Sequence, residues 1–138
     1  FDPSGKKVGE WGANGPEEHR LAEPVDVEIT PLGLAVTDAR RTRVVFFDGR
    51  GRFLRAWPLA TESTGGTTNE MHLCWDEKGN RLLVTDPEHN QVLVLSERGE
   101  TLKKIPVNGF PIGIAVAPDS RVLATLRQGH KVVLVPMN

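Results

Sequence analysis

Three threonines constrain this chain more than any other feature. Thr37, Thr85 and Thr125 each close a short apolar run, 48 and then 40 residues apart, and each precedes a polar loop and a second apolar run. The fullest copy, Ile29 to Asp48, is ITPLGLAVTDARRTRVVFFD. It returns over Asp76 to Ser96 as DEKGNRLLVTDPEHNQVLVLS, and more loosely over Ala117 to Pro136 as APDSRVLATLRQGHKVVLVP. The apolar runs are too short and too β-branched for buried helices, so they are strands. Self-similarity at this period marks a repeated unit of four antiparallel strands, the blade of an all-β propeller.

The spacing predicts the strands of about three blades. In the first, over 24–57, they are Pro24 to Ile29, Leu34 to Thr37, Arg43 to Phe47 and Phe53 to Trp57. In the second, over 71–105, they are Met71 to Trp75, Leu82 to Thr85, Gln91 to Leu95 and Thr101 to Ile105. After the Asn108-Gly109 turn, the third, over 110–136, has Pro111 to Val116, Val122 to Thr125 and Lys131 to Val135, with no fourth strand of its own. The third strands (VVFF, VLVL, VVLV) are apolar on both faces, as strands covered on both sides must be. Gly12 to Glu23 and the Thr/Gly-rich Pro58 to Asn69 are links between blades.

Phe1 to Trp11 (FDPSGKKVGEW) matches Phe47 to Trp57 (FDGRGRFLRAW) in Phe-Asp, in the glycine four residues on, and in the closing tryptophan. Residues 1–11 are therefore expected to supply the outer strand, Lys6 to Trp11, of a preceding or completing blade. Closed propellers have about four to eight blades, so three cannot close a ring. The expectation is half of a six-bladed propeller, completed by the remainder of a longer chain or by a second copy. In the latter case each copy would lend Lys6 to Trp11 to the other's last blade, covering an otherwise exposed edge.

A net charge of −1, from 17 basic and 18 acidic residues, excludes a wholesale nucleic-acid or membrane binder while leaving room for a local basic face. No apolar run approaches the roughly 20 residues that span a bilayer, so no membrane partner is expected. With Cys74 alone, no internal disulfide can form. There is no Gly-rich phosphate loop, zinc cysteine cluster or nucleophile elbow, and no organic cofactor is expected.

Pro-x-Gly-Ile-Ala-Val at 111–116, Asp-Glu-Lys-Gly-Asn-Arg-Leu-Leu-Val-Thr-Asp at 76–86 and the Phe-Asp-x-x-Gly ending resemble NHL repeats. Where that family carries an Asn-His-Arg-like segment, this chain has Arg41-Thr42-Arg43, His89-Asn90-Gln91 and Gly129-His130-Lys131. The resemblance implies a six-bladed propeller serving as a non-catalytic platform for a protein or RNA partner. It also admits related propeller enzymes, lyases or lactonases, that hold an axial metal.

Two sites follow. Equivalent loops gather Arg40, Arg41, Arg43, His89, Asn90, Arg127, His130 and Lys131 onto one rim, where a basic surface can hold phosphates or an acidic peptide. On the inner strands, Asp26, His72 and Gly113 share one repeated position. There, Asp26 and His72 could ligate a divalent metal at the channel mouth. Asp38 and Asp86 open the rim loops and are expected to hold their own turns, with Leu126 in the equivalent place of the last blade.

Overall fold

The computed structural model describes residues 1–63 and 69–138. Part of the Thr/Gly-rich link therefore lies outside the described residues. Two four-stranded antiparallel sheets and one of three strands follow one another along the chain. The first is β1 (Pro24–Thr30), β2 (Gly33–Asp38), β3 (Arg43–Phe47) and β4 (Phe53–Pro58). The second is β5 (Leu73–Asp76), β6 (Arg81–Asp86), β7 (Gln91–Ser96) and β8 (Thr101–Pro106). The third is β9 (Pro111–Val116), β10 (Val122–Leu126) and β11 (Lys131–Leu134). Every strand pairs with its sequence neighbour, so each sheet is a meander with its first strand at one edge. These first strands, β1, β5 and β9, lie side by side, and the three sheets stack face to face as blades 1 to 3.

Strand periodicity explains the stacking. Successive side chains point to opposite faces, and in blade 2 the two faces enter different cores. Leu82, Val84, Leu93 and Leu95 join Ala35, Val44, Phe46 and Trp57 of blade 1. Leu83, Val92 and Val94, one residue out of step, join Val122, Ala124 and Leu126 of blade 3. The all-apolar third strand is thus two half-strands serving two interfaces.

The threonines tie the stack at the innermost strands. Thr37 Oγ1 accepts the Asp26 N–H at 3.1 Å, and its hydroxyl donates across the blade boundary to the Met71 carbonyl at 2.7 Å. Thr85 does the same with the His72 N–H at 2.9 Å and the Ile112 carbonyl at 2.8 Å. Thr125 repeats the first half, accepting the Gly113 N–H at 2.8 Å. The β1–β2 ladder shifts register between Pro24 and Val27, so a side-chain hydroxyl stands in for a backbone partner there.

The first eleven residues open on the turn that joins third and fourth strands in the complete blades. The Asp2-to-Lys6 turn carries the same backbone bonds as Asp48 to Arg52 and Ser96 to Glu100, which confirms the repeat. Lys6 to Trp11 pairs with no strand among the described residues.

Candidate functional site

The rim loops are built alike. Each four-stranded blade turns from second to third strand through a short 3-10 segment, Ala39–Arg41 or Pro87–His89, closed by a residue in the left-handed region. Thr42 (φ 50°), Asn90 (φ 51°) and His130 (φ 50°) occupy that place, so the segments aligned from sequence are structurally equivalent.

What the loops do with their charges depends on the link that enters the blade. In blade 1 the link up to Glu23 folds over the loop. Asp38 Oδ1 accepts the Ala22 and Glu23 N–H groups at 3.1 and 2.8 Å, and Oδ2 accepts Arg43 Nε at 3.1 Å. Arg43 also donates to the Glu18 and Arg20 carbonyls, both at 2.7 Å, and its side chain is only 11% exposed. Arg41 donates to the Glu17 and Arg20 carbonyls at 2.7 and 3.0 Å. In blade 2, Asp86 gathers Thr61, Asn69, His89 and Gln91. Asn90 Oδ1 accepts the Gly109 and Phe110 N–H groups. Asp38 pairs with Arg43, and Asp86 with His89 and Gln91, of their own loops, while the backbone N–H groups that Asp38 accepts belong to the entering link. Arg43 and Asn90 are drawn into holding links, whereas Arg41 and His89 make such contacts and stay exposed.

Blade 3 is different because the chain enters it through only Val107 to Phe110. With no long link to grip, the carboxylate is replaced by buried Leu126, which packs against Gly109. Residues 127–131, Arg-Gln-Gly-His-Lys, are all exposed. Arg127 pairs with Glu70 at 2.5 Å and lies 5.1 Å from the Phe110 ring centroid, a cation–π distance. Arg40 is also exposed, 3.7 Å from Glu23. The exposed residues of the rim are Arg40, Arg41, His89, Arg127, His130 and Lys131. The contrast in link length was visible in the sequence, and it sets Arg127, His130 and Lys131 of blade 3 apart. His19, in the link that enters blade 1, stacks on Phe53 with ring centroids 4.0 Å apart.

On the inner strands, Asp26 and His72 do meet: His72 Nδ1 lies 3.3 Å from Asp26 Oδ2, each side chain about one-third exposed. The carboxylate already has work. Oδ1 accepts its own Val27 N–H at 2.9 Å and Oδ2 the Leu73 N–H at 3.1 Å. Two residues along each strand, Glu28 lies close to the Trp75 amide and Cys74 close to the Val116 amide, and each amide lowers the pKa of its neighbour against larger opposing effects. Blade 1 thus caps the inner edge of blade 2 with the Asp26 side chain, which removes part of the template that a bare edge presents. Burial, and then the neighbouring Asp26 charge, raise the Glu28 pKa. Burial first, and then Glu28, Asp76 and Asp26, push the Cys74 thiol up, away from the thiolate a nucleophile needs. Among the described residues no group of three or more His, Cys, Asp or Glu side chains is placed to hold a metal. Asp26 and His72 are at most part of a ligand set.

No protein-family model matches the chain, nor does any curated protein sequence. Solved structures do. Virginiamycin B lyase from Staphylococcus aureus, in a catalytically inactive histidine-to-alanine form bound to quinupristin, superposes at TM-score 0.65 and 15% identity, over 83% of this chain and 42% of that one. A streptogramin B lyase gives 0.59 and 13%, over 82% and 41%. Hydrazine synthase from Kuenenia stuttgartiensis gives 0.64 and 22%, over 77% and 30%. The fold is that of β-propeller blades. This chain spans about two-fifths of the length of the lyases it matches.

Proposed function

We propose that the chain is a segment of an NHL-type propeller acting as a non-catalytic platform, and that its loop-rich rim binds an anionic partner, protein or RNA. One observation carries the reading: the third blade presents Arg127, His130 and Lys131 from a loop that no link covers, with Arg40 exposed on the equivalent loop of blade 1. Phe110 beneath Arg127 adds an aromatic face beside the cations, a pairing that suits a base or a carboxylate-bearing side chain. The test is fluorescence anisotropy with labelled single-stranded RNA and with an acidic peptide, each titrated across ionic strength. Reversing charge in Arg127→Glu/Lys131→Glu is expected to weaken binding at least about tenfold and to flatten the salt dependence by about one unit of slope per cation. Unchanged affinity in that double variant would sink the platform reading.

The Asp26–His72 contact favours a second reading, a lyase- or lactonase-type propeller enzyme with a divalent metal at the channel mouth. This chain would supply two ligands and other blades the remainder. Elemental analysis of the purified protein decides it: the enzyme reading expects stoichiometric metal that is lost in His72→Ala, and no metal in the parent protein removes it.

A further inference from the structure

The repeat separates residues that build blades from residues that do not. In the loop after the second strand, Ala39, Pro87 and Arg127 occupy one position; in the link entering each blade, Glu23, Asn69 and Phe110 occupy another. Ala39 and Pro87 are buried, whereas Arg127 is exposed. The cover at this position comes from the blade's own entering link. The Ala39 N–H donates to the Glu23 carbonyl at 2.9 Å, and the Arg127 N–H donates to the Phe110 carbonyl at 3.1 Å. The link into blade 3 lies wholly among the described residues, and Arg127 is open because that link is short.

Phe110 holds its ring under this cation from a strained backbone. Its φ of +61° is costly for a bulky L-residue, and both of its polar groups are clamped. Asn90 Oδ1 accepts its N–H at 2.9 Å, and its carbonyl takes the Arg127 amide. The ring centroid lies 5.1 Å from Arg127 Cζ. Beside the ring, Arg127 Nη2 donates to Glu70 Oε2 at 2.5 Å, across a separation of 57 residues. Glu70 enters blade 2 at the position where the other blades have Pro24 and Pro111, so this ion pair is no part of the repeat. Both side chains stay about half exposed. His130 and Lys131, on the same loop, are exposed and make no ion pair among the described residues.

We propose that Arg127 on Phe110 is a carboxylate-binding subsite, in which Glu70 holds the place of an acidic side chain from a peptide partner. The inference rests on the platform reading of the rim and names its ligand. Glu70 displays the chemistry that fits: a carboxylate oxygen at hydrogen-bond distance from a guanidinium steadied by an aromatic ring. Only Nη2 serves Glu70, and the other guanidinium N–H groups have no acceptor among the described residues. An incoming carboxylate can therefore take two of them in parallel, the stronger bidentate geometry. Glu70 yields readily, because an exposed ion pair contributes little net free energy, and displacing it costs only a few-fold in affinity. His130 and Lys131 favour further acidic residues next to the anchoring one. The seat already holds a carboxylate, which favours an acidic peptide over RNA.

The test is anisotropy at fixed ionic strength with a labelled oligoglutamate peptide and, separately, labelled single-stranded RNA. The chains are the parent, Glu70→Gln, Arg127→Gln and the double variant, each checked for native circular dichroism. Glu70→Gln should bind the peptide about two- to fivefold more tightly than the parent, and the gain should vanish in the Arg127→Gln background. Glu70→Ala, which adds no amide donor, should repeat the gain and replaces Glu70→Gln if that chain fails to fold. An equal gain in both backgrounds is a general charge effect and overturns the subsite, as does no gain at all; the platform reading survives either result. Tighter binding of RNA than of peptide overturns the assignment of the partner. Binding of neither probe by any of these chains removes the platform reading and the subsite with it.

Discussion

Asp38→Ala should be the most destabilising single polar substitution in the first blade, costing about 3–5 kcal/mol in urea unfolding followed by circular dichroism. The carboxylate is fully buried, and three donors converge on it: the Ala22 and Glu23 amides and Arg43 Nε. Removing it leaves an almost buried guanidinium without a counter-charge and two amides without an acceptor. The loss of the unpaired groups, more than the loss of attraction, sets the size of the effect. Arg43→Met separates these contributions. The single substitution still leaves Asp38 with its two amides, so it should cost less than Asp38→Ala. In Asp38→Ala/Arg43→Met the stranded charge is gone, and the double variant should be less destabilised than the two losses added together. Additive losses would show that Asp38 and Arg43 do not act as a unit, and the account of the rim given above would fail with them.

This network also marks where the sequence stopped being legible. The blades were readable because period-two burial, β-branched runs and turn residues all point to one architecture. β3 and β9 coincide with the runs read from sequence, and the other observed strands differ from them by at most two residues at an end. The aspartates were readable as turn holders because Asp38 and Asp86 recur at one repeat position. The arginines were not. Arg41 and Arg43 look like a basic rim until the link over Glu17 to Glu23 is seen to fold across them, and that contact joins residues more than twenty positions apart. Charge counts along a chain carry no information about which backbone carbonyls will come to meet a guanidinium. Blade 3 shows the converse. Its short entry leaves Arg127, His130 and Lys131 uncovered, and Leu126 in the aspartate position is the residue that records it.

The inner pair sits between these cases. Equivalence of Asp26, His72 and Gly113 followed from the repeat, and the three N–H groups do take the same threonine partner. That Asp26 would cap Leu73 in the next blade did not follow, because a strand's inner edge becomes a liability only once the blades are stacked. The same carboxylate that suggested a ligand is largely explained by that edge.

The second large effect concerns tryptophan and glycine between blades. Trp57→Ala is expected to cost about 3–5 kcal/mol, the range for truncating a large buried aromatic side chain. Trp57 is 7% exposed, packs on Phe46 at a centroid distance of 4.4 Å, and lies on the Gly99 turn of blade 2. Gly99 has φ +82°, and a Cβ there would stand 2.5 Å from the indole. Gly99→Ala therefore carries two penalties: about 1–2 kcal/mol for an L-residue in the left-handed region, and a further cost for displacing the ring. Only the second depends on Trp57. In a Trp57→Ala background the glycine substitution should retain the conformational penalty and lose the steric one, so the double variant should be more stable than the sum of the single losses predicts. Trp11 supplies the comparison. It lies on Gly51 in the same way but is 46% exposed, so Trp11→Ala should cost the isolated chain well under half of what Trp57→Ala costs.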